Sequence, residues 1–82
     1  MNPPLMGSPS FSLNQARPGA QVRVIAITAD KLLRKRLLSM GVLINSQLDV
    51  LQRRGDALVV GSDRSRIAIG EAMSRHIQVQ AV

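Results

Sequence analysis

The sequence predicts a small, mainly β domain: about five short strands closing into a barrel-like sheet, with one α-helix inserted after the first strand. Short β-branched and apolar runs recur between turn-forming Gly, Asp and Ser residues from Val22 to the C-terminus, the signature of consecutive short strands. A single stretch, Ala29 to Met40, instead repeats its apolar residues at helical spacing. The chain has 82 residues, 45% of them hydrophobic and one aromatic. Its core must therefore be modest and built from Val, Ile, Leu, Ala and Met.

Residues 1–11 hold three of the four prolines and little periodicity, which predicts a disordered tail, with the folded domain spanning 12–82. Ser12 is a candidate cap for a short helical turn. Pro18-Gly19 then predicts a type II turn, because Pro presets the first central position and Gly supplies the positive φ of the second. The run "VRVIAI" (22–27) is almost continuously apolar, so its strand should be covered at least partly on both faces.

Thr28, Ala29 and Asp30 offer the helix start. At 100° per residue Ala29, Leu33, Leu37 and Met40 form one stripe, the core face. Gly41 suits the C-cap, and Arg34, Lys35 and Arg36 suit the negative end of the helix dipole. Leu38 breaks the pattern, lying roughly opposite the core stripe beside Arg34 and Lys31. Either the N-terminal segment folds over it through Phe11 or Leu13, or a partner does.

The second strand, "QLDVLQR", sets Leu48, Val50 and Gln52 on one face and Asp49, Leu51 and Arg53 on the other. Gly55-Asp56 reads as a tight hairpin turn into the third strand, "ALVV". "GSDR" is a further turn, and "SRIAI" a fourth strand with Arg66 and Ala68 on one face and Ile67 and Ile69 in part on the other. "GEAMSR" makes a helical turn, and "HIQVQAV" a last strand with Ile77 and Val79 inward. Closing such a sheet protects its edges.

Composition narrows the function. Without cysteine there is neither a disulfide nor a thiolate site. The start, "MNPPLMGSPS", has no basic or apolar region of a secretory signal. No apolar run approaches the roughly 20 residues that span a bilayer. These features point to a cytoplasmic protein. Net charge is +6, from 11 Lys and Arg against 5 acids, which favours an acidic partner.

The glycines at 41, 55, 61 and 70 stand singly at element ends, with no phosphate-cradling loop among them. A nucleophile needs an adjacent base; the only histidine is His76, and the serines sit near turns and helix ends. No catalytic residue is therefore assigned, and no enzyme activity is expected. A metal site needs several converging ligands, and His76 stands with five dispersed carboxylates, so neither a metal site nor a cofactor is assigned. His76 reads as a solvated or hydrogen-bonded residue at a strand start. Arg34-Lys35-Arg36 and Arg53-Arg54 serve either as solvated surface or as phosphate contacts.

Taken in order, "SLNQARPGAQVRVIAI", "LRKRLLSMGV" and "LDVLQRRGDALVVGSDRSRIAIGEAMSRHIQV" resemble the FeoA family, the small cytoplasmic component of bacterial ferrous-iron uptake, over about residues 12–80. The basic, leucine-rich run ending in Met40-Gly41 is the most specific match. Two features depart from the family pattern. Ile44-Asn45 stands where the family usually has Pro-Gly, and the hairpin at Gly55-Asp56 is shortened, with Ala57 in place of a proline.

The resemblance implies an SH3-like barrel. It also implies an adaptor that binds the cytoplasmic GTPase region of the ferrous-iron permease and promotes or regulates transport, reaching the membrane only through the permease. Arg34, Lys35, Leu38, Met40 and Gly41 are then the candidate partner-binding residues. The competing reading is a basic small barrel that binds RNA, disfavoured by the missing aromatic stacking faces. A related module closes some metal-dependent repressors, but no DNA-reading helix-turn-helix precedes it in this sequence. Self-association is left open.

Overall fold

The computed structural model describes residues 9–62 and 65–82. Its elements are β1 (Phe11–Ser12), a 3-10 turn (Leu13–Gln15), β2 (Gln21–Ile27), α1 (Lys31–Ser39), β3 (Gln47–Arg54), β4 (Ala57–Ser62), β5 (Ser65–Gly70), α2 (Glu71–Ser74) and β6 (Ile77–Ala81). The strands form one antiparallel sheet in the order β1-β6-β2-β3-β4-β5. α2 packs against β4, β5 and the 3-10 turn, which brings the two ends of the sheet together. This is a mainly β, SH3-like small barrel with the helix inserted after the first long strand.

The structure has six strands where the sequence predicts about five. The addition is β1, whose Phe11 pairs with Val79 and Ser12 with Gln78. Phe11, assigned by the sequence to the tail, is thus a strand residue packed against the core. Residues 1–8 of the expected tail lie outside the described residues, as do 63 and 64 of the expected "GSDR" turn. Gly61 and Ser62 of that turn still belong to β4.

The core is aliphatic, as composition requires. Leu13, Val22, Val24, Leu37, Val42, Leu48, Val50, Leu58, Val60, Ile69, Ile77 and Val79 are all buried. Strand alternation supplies most of them, since successive side chains point to opposite faces. The alternation breaks in β3. Between Val50 and Gln52 the pairing with β4 shifts by a residue, so Leu51 is an extra, bulged residue. Gln52, expected on the same face as Leu48 and Val50, is therefore turned away from it and exposed.

Three turns carry the positive φ that sequence chemistry foresees. Gly19 has φ 93°, closed by the Ala20 N–H donating to Arg17 O at 3.0 Å. Gly55 has φ 59° at the first central position of the β3–β4 hairpin. Asn45 has φ 76° in a turn where Ser46 N–H donates to Leu43 O at 3.0 Å. Ile44-Asn45 thus occupies the two central positions of a type II turn. The departure from Pro-Gly keeps the backbone shape, because Asn tolerates the left-handed region.

Candidate functional site

The site is built on α1. The Asp30 carboxylate caps its first turn, accepting from Leu33 N–H at 2.9 Å. At the other end Gly41, with φ 90°, closes the helix. Gly41 N–H donates to Leu38 O at 3.0 Å, and Val42 N–H to Leu37 O at 2.9 Å. This pair of bonds is the Schellman arrangement, with both Val42 and Leu37 buried as its apolar contact. The helix ends are therefore fixed, and with them the direction of every side chain between.

Leu37 enters the core; Leu33 and Met40 are half-buried and packed against it. The opposite surface is open. Lys31, Arg34, Lys35 and Leu38 line one surface depression, with Leu38 59% exposed. Leu13 lies wholly in the core and Phe11 pairs with β6, so neither covers Leu38. Of the five candidate residues, the structure brings Arg34, Lys35 and Leu38 together on this face. Gly41 is the exposed cap at its end. Met40 turns toward the core and does not line the depression.

Electrostatically the face is one-signed. Among the described residues, no carboxylate pairs with Lys31, Arg34, Lys35 or Arg36. Asp30 is engaged by the helix cap, and Asp49 accepts from Gln21 Nε2 at 3.0 Å on another strand. The remaining described acids, Asp56 and Glu71, lie at the β3–β4 hairpin and at the start of α2.

The other basic pair splits by role. An Arg53 Nη donates to Asn14 O at 2.5 Å and Ala16 O at 3.4 Å, tying β3 to the 3-10 turn. Arg53 is thereby a structural residue rather than a free phosphate contact. His76 stands just before β6, half-buried. Its carbonyl accepts from Thr28 N–H at 2.8 Å and Thr28 Oγ1 at 3.1 Å. Among the described residues no three His, Asp or Glu side chains form a group able to hold a metal ion.

The candidate set left out Lys31, which the sequence placed beside Leu38 and which completes the depression, and three exposed apolar residues of the same segment, Leu32, Leu43 and Ile44, at 74%, 47% and 50%. Leu32 was legible as an apolar residue off the core stripe. Leu43 and Ile44 were not, because strand-like composition hides a turn.

The fold and the basic face together define a small SH3-like barrel that presents a helix. A family model described as FeoA domain matches residues 11–81, and the chain belongs to that family, which is involved in Fe(2+) transport. It is 33% identical over 70 residues to a protein of Methanocaldococcus jannaschii named Fe(2+) transport protein A, covering 85% of each chain. The crystal structure of an iron uptake regulatory protein (FeoA) superposes with TM-score 0.83 at 23% identity, covering 89% of this chain and 99% of the other. A manganese-dependent transcriptional repressor superposes with TM-score 0.85 at 27% identity. It shares 90% of this chain, but the chain spans only 42% of the repressor's length. No described helix is long and apolar enough to cross a membrane.

Proposed function

We propose that this protein is a cytoplasmic, non-enzymatic accessory protein of ferrous-iron uptake that docks on the cytoplasmic GTPase region of the ferrous-iron permease. Iron is then the cargo of the permease. The observation that carries the reading is the rigidly framed face of α1: Arg34 and Lys35, without acidic partners among the described residues, around an exposed Leu38. Unpaired cations favour encounter with an acidic surface, and burial of a leucine adds contact energy once docked. Membership in the FeoA family supports a partner within the transport machinery, and the name of the archaeal relative is consistent with it.

The test is an NMR titration of the labelled chain with the purified GTPase region of the permease at about physiological salt, where exposed charges are screened beyond roughly 8 Å. Saturable shifts centred on residues 34–42 are expected, and Leu38→Asp should remove them while leaving the spectrum folded. Shifts with RNA instead, fading steeply with salt through counterion release, would replace this reading with the nucleic-acid one.

A further inference from the structure

We infer that the outer surface of α1, with the turn that follows it, also rests directly on an anionic membrane surface. This goes beyond the docking reading and departs from the expectation that the membrane is reached only through the permease.

The observation is a concentration of two residue classes in one segment. Among the described residues, the exposed large apolar side chains are Leu32, Leu38, Leu43, Ile44, Leu51 and Val82. Four of these six fall between positions 32 and 44. The same segment with the residue before it supplies Lys31, Arg34, Lys35 and Arg36, all exposed. Its one neighbouring acid, Asp30, is engaged by the helix cap.

The arrangement leaves a lipid surface beside the protein socket. At 3.6 residues per turn Leu32 and Leu38 point about 120° apart, with Lys31 and Lys35 between them. A rigid socket shaped for Leu38 leaves Leu32 in water. A headgroup layer takes it: Leu32 reaches toward the acyl boundary while the long cationic side chains stay at phosphate level. A second copy of the chain is a poor occupant, because the same unpaired cations would face one another. The association is peripheral, since no described helix can span a bilayer. Both helix ends are already capped, so contact requires no folding step, and each cation near an anionic surface adds to binding.

Vesicle flotation with the full chain tests the inference. Vesicles of phosphatidylcholine containing about one-third phosphatidylglycerol are compared with pure phosphatidylcholine at about physiological salt. Binding to the anionic vesicles only is expected. Leu32→Gln, which keeps the net charge, and Arg36→Gln should each weaken it about fivefold, the equivalent of about 1 kcal/mol. Ile44→Gln, on the following turn, is an independent second variant with the same expected direction. Absence of binding to the anionic vesicles would overturn the inference. So would binding that Leu32→Gln and Ile44→Gln leave unchanged, since net charge alone would then explain it. Leu32→Gln should keep the titration with the GTPase region that Leu38→Asp loses. Vesicle binding without that titration overturns the docking reading alone, and the reverse result overturns this one alone.

Discussion

Asn45 holds a left-handed backbone, φ 76°, that glycine adopts more readily and β-branched residues resist. Its N–H donates to Val24 O at 2.6 Å, and the next carbonyl, Ser46 O, accepts from Val24 N–H at 2.9 Å. The turn is thus stitched to β2, and strain there reaches the sheet. Asn45→Val should cost about 1–2 kcal/mol in urea unfolding, whereas Asn45→Gly should stay within about 0.5 kcal/mol. A second contrast separates two adjacent arginines. Arg53→Met removes the bonds to Asn14 O and Ala16 O and should cost about 1 kcal/mol. Arg54→Met, in the same strand, should fall within about 0.5 kcal/mol. Residue types announced the first of these features and concealed the second. An Asn in a turn has a local reason, but the partner of Arg53 lies 39 positions away, and composition does not report such pairings.

At the scale of elements, α1 divides sharply between two neighbours. Leu37 is fully buried and Leu38 is 59% exposed. Leu37→Ala should cost about 2–4 kcal/mol through lost burial and a residual cavity. Leu38→Ala should change stability by less than about 0.5 kcal/mol, with both variants followed by thermal unfolding. The helix was legible because its 3.6 period, its acidic cap and its terminal glycine agree, and so was the outward direction of Leu38. β2, β4, β5 and β6 were legible for a similar reason: alternation and turn residues coincide. β1 was hidden. Two residues beside a proline-rich segment have no pattern of their own, and Phe11–Ser12 becomes a strand only because β6 offers its edge. Gln52 was misplaced because a bulge reverses every face after it, and a bulge has no required residue. In the site, the exposure of Leu43 and Ile44 depends on the same kind of tertiary turn.

Across the whole molecule, the sheet order pairs the first strand with the last. β6 lies between β1 and β2, and Ile77 and Val79 are buried in the core. A chain ending at His76 therefore leaves Val22 and Val24 without their facing strand, and should give the amide spectrum of an unfolded protein. A chain ending at Ala81 loses the bond from Val82 N–H to Gln21 O at 3.0 Å and should fold, less stable by at most about 1 kcal/mol. The position of β6 also has a consequence during synthesis. The strand that closes the sheet is the last of the domain to be made, and until it emerges β1 has no hydrogen-bonding neighbour and β2 lacks one of its two. The growing domain thus exposes an apolar strand edge while β2 to β5 are already made, and its barrel closes only once β6 is free to pair. In a protein this small, that interval is its principal exposure to misassembly.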